Sequence, residues 1–257
     1  MQATQQAKDS GFTLMELLVS LVIGSLLITG LFKIWNTNRK ETDRIQTKSD
    51  FRDRATLATT ALNRSITMAG FGMTKMDVIT KRSGVATDTL ILYSNSQERR
   101  TTLRDTARVY DTEITVFTDS GFTVGGLIGI TDSIQQEYAR VGGISGDSAS
   151  GFRLRLADGL QHKYKPGVPD VYPVEKETFF IDNSANALMR IVGSRRIALA
   201  NGITDFRVDL RDASGNATNS SKSIRVVTFS MTGTYKAPAG TPSLMNFSST
   251  VIPRNVL

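Results

Sequence analysis

Gly11-Phe12-Thr13-Leu14-Met15-Glu16, followed without a break by LLVSLVIGSLLITGLF to Phe32, is the stretch on which the fold turns. The 21 residues from 12 to 32 carry a single charge, Glu16. As a helix they extend about 32 Å, close to the thickness of a bilayer's hydrocarbon core. The composition and length therefore predict one membrane-spanning helix. A cleaved secretory signal has a shorter apolar core and small residues at a cut site behind it. Here the run is longer, and no A-x-A pattern follows.

Glu16 is the anomaly within that run. A carboxylate inside an apolar span costs about 2.5–3.5 kcal/mol on insertion scales, so it calls for a partner. No lysine, arginine or histidine lies between Phe12 and Phe32 to supply one. Cutting the chain between Gly11 and Phe12 would place a new α-amino group one helical turn from Glu16. A first-turn carboxylate is also favoured by the helix dipole. The same cut gives the polar segment MQATQQAKDS a role as a discarded leader.

Outward from this stretch, Trp35 stands where an interfacial aromatic belongs, and residues 36–46 are polar. Phe51, Ala55, Ala58, Leu62, Ile66 and Ala69 then recur at intervals of four and three, an amphipathic face that needs a sheet to cover it. The helix is expected to end near Gly70 or Gly72. Gly24 and Gly30 read either as points where the helix loosens or as close-contact positions between helices.

Beyond residue 72 the helical period fades, and short β-prone runs separated by turn residues predict an antiparallel β-rich head. Runs are expected at 89–93, 107–110, 113–118, 127–131, 137–141, 152–156, 171–181, 187–192, 196–200, 203–211, 224–232 and 245–252. The segment 182–186 reads as a hairpin turn and 212–221 as a longer polar loop in another. Gly142-Gly143 reads as a turn. The fold class is thus α+β: a leader over 1–11, a transmembrane helix over 12–35, its amphipathic continuation over 36–72 and a head over 73–257.

The composition closes off several chemistries. With no cysteine there is no disulfide framework, thiolate nucleophile or cysteine metal site. The single histidine, His162, rules out any centre needing two imidazoles and lies in a polar loop without a matching serine or acid. Asp205 and Asp209 lie about 13 Å apart on one strand face, too far for a catalytic pair. Gly125-Gly126 lacks dinucleotide-loop spacing. Asp212, Ser214 and Asn216 resemble a calcium loop only weakly, having no later bidentate glutamate. No enzyme, cofactor or metal is expected. The net charge of +7 attracts polyanions, but its small clusters, Lys81-Arg82, Arg99-Arg100 and Arg195-Arg196, are scattered. Nucleic acid remains a secondary candidate partner.

The opening stretch resembles the type III signal of type IV pilins and type II secretion pseudopilins. The resemblance implies that a prepilin peptidase cuts after Gly11, that Phe12 becomes the methylated terminus, and that Glu16 guides docking among the helices of other major and minor pilins. It also implies a single pass through the bacterial inner membrane before assembly into a surface pilus, with the head periplasmic or extracellular. Looser matches point within that family. Ala69-Gly70-Phe71-Gly72 is similar to a segment of PilW-type minor pilins. Residues 199–206 and 224–229 are similar to the same proteins and to J-type pseudopilins. The ending Val251-Ile252-Pro253-Arg254-Asn255-Val256-Leu257 resembles that of PilW-like chains. Three functions follow: a PilW-like minor pilin in a pilus initiation or tip complex, a J-type pseudopilin of type II secretion, or a DNA-binding pilin for uptake.

Overall fold

A computed structural model describes residues 13–73, 77–85, 87–119, 121–132, 134–220, 223–236 and 241–255. One helix, α1 (Leu14–Met68), opens the described chain, and thirteen strands follow. They are β1 (Ile79–Ser83), β2 (Asp88–Ser94), β3 (Thr101–Thr102), β4 (Glu113–Val116), β5 (Leu127–Thr131), β6 (Gln136–Asp147), β7 (Gly151–Leu156), β8 (Asp170–Asp182), β9 (Ala187–Val192), β10 (Arg195–Asn201), β11 (Ile203–Arg211), β12 (Val226–Tyr235) and β13 (Ser243–Val251). The α+β class is as the sequence predicts. The chain divides into two compact units, Met1–Ser49 with Lys236–Thr241, and Asp50–Tyr235 with Pro242–Leu257.

In the second unit, Phe51, Ala55, Ala58, Leu62, Ile66 and Ala69 are all buried, the six positions marked by their spacing. They share one core with Phe206, Val208, Leu210, Val227, Phe229 and Met231 of β11 and β12, and with Ile79, Leu90, Leu92 and Phe179 of the larger sheet. Small alanines on the helix admit close approach, and Phe51 fills the space they leave. Its ring packs on Tyr235 and Phe247, with centroids 5.9 and 6.0 Å away. It also lies where a side chain on Gly233 would have to go, so β12 needs glycine there.

The helix stops at Met68 because the chain then reverses through Gly70, whose φ is +78°. The Gly70 N–H donates to the Tyr93 carbonyl at 2.8 Å, and the Asn95 N–H donates to the Phe71 carbonyl at 2.8 Å, tying the helix end to β2. From the chain's far end, the Asn255 amide reaches the Thr67 carbonyl at 3.5 Å, one of the acceptors a helix C-terminus leaves open.

β8 is the spine of the large sheet, in which ten strands join. Its first half pairs with β5 on one side and β3 on the other. Its second half pairs with β2 and β9. Pro173 falls in the interval after β3 pairing ends at Val171 and before β2 pairing begins at Glu175, where one flank has no partner strand. A proline elsewhere in a central strand would break a ladder bond. Beyond β5 the sheet continues through β6 and β7 to β4 around a second core of Leu103, Ile128, Ile130, Leu154 and Tyr164. The small sheet runs β11–β12–β13, antiparallel throughout.

Two expectations need correction. Residues 107–110 form no strand. Ala107 makes one isolated bridge to Tyr164, and the chain then turns, with Asp111 Oδ2 accepting the Arg108 N–H at 2.6 Å. Gly142 and Gly143 are not a turn but lie inside β6, where the register against β7 shifts between Val141 and Gly143. Bulges favour glycine because it tolerates the local backbone distortion. Strands β1 and β3 went unread. The hairpin at 182–186 and the long loop after β11 stand as expected.

Candidate functional site

Gly11 and Phe12, the expected cut and modification positions, lie outside the described residues, as does the rest of the expected leader over 1–11. The described site begins at Thr13, immediately before α1. The first N–H groups of a helix have no internal acceptor, which is costly where no water can reach them. Here Thr13 and Glu16 satisfy two backbone donors at that end reciprocally. Glu16 N–H donates to Thr13 Oγ1 at 3.3 Å, while Glu16 Oε2 accepts both the Thr13 N–H and the Thr13 hydroxyl at 3.1 Å. The first helical bond, Leu17 N–H to the Thr13 carbonyl, is 3.2 Å. This is a capping box, and its T-x-x-E signature stands in the sequence as Thr13-Leu14-Met15-Glu16. The sequence reading sought a cation for Glu16 and missed Thr13, which supplies hydrogen bonds without one.

The helix that follows is apolar on every side. Leu14, Leu17, Leu21, Leu27, Leu31 and Trp35 are all exposed. This is one helix long and apolar enough to cross a membrane, and none of that apolar window is buried. Its few hydroxyls are satisfied internally: Ser20 donates to the Leu17 carbonyl at 2.9 Å, Ser25 to Val22 and Thr29 to Ser25, each at 2.8 Å. That back-bonding removes the polar penalty a lipid environment would impose. Gly24 and Gly30 have no atom within 4 Å of where a Cβ would stand, leaving two shallow places on the helix surface. At the far end of the apolar run, the Arg39 guanidinium lies 5.6 Å from the centre of the Trp35 ring. The cation and aromatic together suit an interface between hydrocarbon and water.

The other candidates resolve into structural roles. Glu137 accepts the Gln161 and His162 backbone N–H groups at 2.7 and 3.3 Å, which fixes the loop that carries His162. Asp205 pairs with Arg207 at 3.1 Å, and Asp209 with Arg211 at 2.7 Å. Asp212 Oδ1 accepts the Ser214 and Asn216 N–H groups, both at 2.9 Å, closing its own turn. Asp147 and Asp182 cap hairpin turns. Hydrogen bonds from the Ser150 backbone and the Ser184 hydroxyl, respectively, hold these carboxyls below the usual carboxylate range. Among the described residues, no group of three or more acids or histidines could hold a metal. In the basic clusters, Lys81 pairs with Asp88 at 3.3 Å, Arg100 with Asp170 at 3.7 Å, and Arg196 with Asp182. Ion pairing of this kind spends positive charge within the head.

Residues 6–32 match the sequence profile of the prokaryotic N-terminal methylation motif. The match spans the end of the polar segment 1–10, the capping box and the apolar run. The chain therefore carries a signal of the type found in type IV pilins and pseudopilins, on a helix suited to membrane anchoring. No curated protein matches the chain.

Proposed function

We propose that this chain is a minor type IV pilin of the PilW kind. On this reading it is cut between Gly11 and Phe12 by a prepilin peptidase, methylated at Phe12, and built into a pilus initiation or tip complex through its N-terminal helix. The observation that carries the reading is an acid in the first turn of an apolar helical run, within a methylation motif that spans residues 6–32. No lysine, arginine or histidine lies between Phe12 and Phe32 to pair with that acid, and an α-amino group at Phe12 would provide a cation beside it. The Glu16 carboxylate already folds back onto the Thr13 N–H, so it points toward the end at which the amine would appear. Before assembly the apolar helix rests in the inner membrane. Afterwards the same surface packs against the helices of other pilins, with Gly24 and Gly30 as places of close approach.

Mass spectrometry of the mature N-terminus tests the processing step. A chain starting at Phe12 with one added methyl group is expected, and a chain starting at Met1 in piliated cells overturns the reading. Two substitutions separate charge from helix capping. Glutamine can occupy the third position of a capping box, so Glu16→Gln removes the charge but keeps the cap, whereas Glu16→Ala removes both. Both variants are expected to insert and be processed yet fail to support assembly in a deletion strain. Normal piliation with Glu16→Gln and none with Glu16→Ala would make Glu16 a helix cap rather than a docking charge.

A further inference from the structure

Charge is not spread evenly along α1 beyond its apolar run. Trp35 stands at the depth where hydrocarbon gives way to headgroups, and each headgroup layer of a bilayer is about 5–8 Å thick. With a helical rise of about 1.5 Å per residue, Arg39 and Lys40 lie about 6 and 7.5 Å beyond Trp35, within that layer. Lys33 precedes Trp35 by half a turn, on a stem long enough to carry its ammonium to the boundary. From Lys33 to Lys40 there are three cations and no acid. The first acids, Glu41 and Asp43, fall about 9 and 12 Å beyond Trp35, past the layer. From there the two signs are mixed, and Arg44 pairs with Glu41 at 3.9 Å.

All three cations are exposed. Lys33 has no acid within four residues on either side, so no ion pair along the helix can neutralise it. Among the described residues, Lys33, Arg39 and Lys40 enter no ion pair. Helical Cα–Cβ bonds tilt toward the N-terminus, which here is the apolar end. Arg39 shows the result: its guanidinium lies 5.6 Å from the centre of the Trp35 ring, one turn back. The charges thus lean toward the end of the apolar run.

We propose that Lys33, Arg39 and Lys40 form a collar for acidic phospholipid, holding headgroup phosphates in the leaflet from which the apolar run emerges. A bilayer around that run supplies phosphate at the depth these side chains reach. In a zwitterionic lipid an ammonium offsets the phosphate, so three unopposed cations favour lipids of net negative charge. Arg39 offers N–H donors in a fork that fits a phosphate, and the two lysines act as point charges. Cations serving nucleic acid or the acidic face of a neighbouring helix would have no need to be confined to headgroup depth. The inference rests on α1 crossing a membrane, which the pilin reading shares, and adds which lipid gathers where it emerges.

The full-length protein reconstituted into nanodiscs of equal phosphatidylcholine and phosphatidylglycerol provides the test, with the lipid that stays bound on release identified by native mass spectrometry. Phosphatidylglycerol is expected to exceed phosphatidylcholine several-fold. Lys33→Gln, Arg39→Gln and Lys40→Gln together should bring the two lipids to parity. Lys48→Gln, Arg52→Gln and Arg54→Gln together remove the same charge farther along the helix and should leave the preference intact. Equal retention of both lipids by the unaltered protein, a preference that survives the first triple variant, or one that both triples abolish alike overturns the proposal. Trp35 is the one tryptophan of the chain, so quenching of its fluorescence by lipids brominated high on the acyl chain reports insertion separately. Quenching without any lipid preference overturns this inference and leaves membrane anchoring in place, whereas no quenching in vesicles of either lipid overturns both.

Discussion

The two ends of α1 solve opposite problems with the same backbone. From Phe51 to Ala69 apolar residues keep to one stripe, and that stripe is buried against the chain's own strands. From Leu14 to Trp35 apolar residues go all the way round, and the described chain buries none of that apolar window. A stripe finds its complement within the fold. A helix apolar on every side needs a surrounding that is itself apolar, such as lipid or other apolar helices. Residues such as Ala55 and Ala58 fit the first case because a sheet can approach them closely. The leucines at 17, 21 and 31 suit the second.

The largest effect expected from breaking this contrast is at Leu62. Truncating it to alanine removes a fully buried side chain from the core shared by the helix and both sheets, and should cost about 2–5 kcal/mol in chemical unfolding of the head. Leu21→Ala, on the exposed apolar segment, should leave that transition where it is; an equal loss from both would erase the distinction. Next is Gly70→Ala, which forces a Cβ into a left-handed residue against the Asn255 carbonyl and should cost about 1–3 kcal/mol in the same measurement. Thr13→Ala should cost about 0.5–2 kcal/mol of local helix stability. It would be read as faster amide exchange over residues 14–17 in detergent micelles, with the melting of the head unchanged.

The smallest effect concerns pH. Asp182 is held below the ordinary carboxylate range in the folded hairpin, so its contribution is complete above that range and is lost as pH falls through the depressed folded value. In melting curves taken from neutral pH down to about pH 2, Asp182→Asn should flatten part of the acid limb and leave the neutral end less stable. An unchanged acid limb would remove the Ser184 and Arg196 contacts as a source of hairpin stability.

Much of this molecule is legible in its residues. The helical stripe was readable because its partners recur every three or four positions, and most strands because β-branched runs alternate between turn residues. β1 escaped because Thr80-Lys81-Arg82-Ser83 is polar and short. The strand at 107–110 failed because Asp111 and Gly159 favour a turn around Tyr110, a local contest that β-propensity does not register. At the N-terminus, the reading of Glu16 as an isolated charge overlooked a neighbour three residues away, although T-x-x-E is itself a sequence signal. The acid therefore has both a structural partner, Thr13, and the proposed charge partner at Phe12.

By itself the sequence determined the long helix, which part of it is apolar on all sides, which stripe is buried and where glycine ends it. Each of these follows from local period and composition. Only the tertiary structure decided that β8 would serve four neighbours and that Asp88 would cap a backbone N–H 120 residues away on β11. Strand pairing joins backbone groups common to every residue. Its partners are therefore selected by how the whole set of apolar faces closes around a core, and not by any one segment's residues.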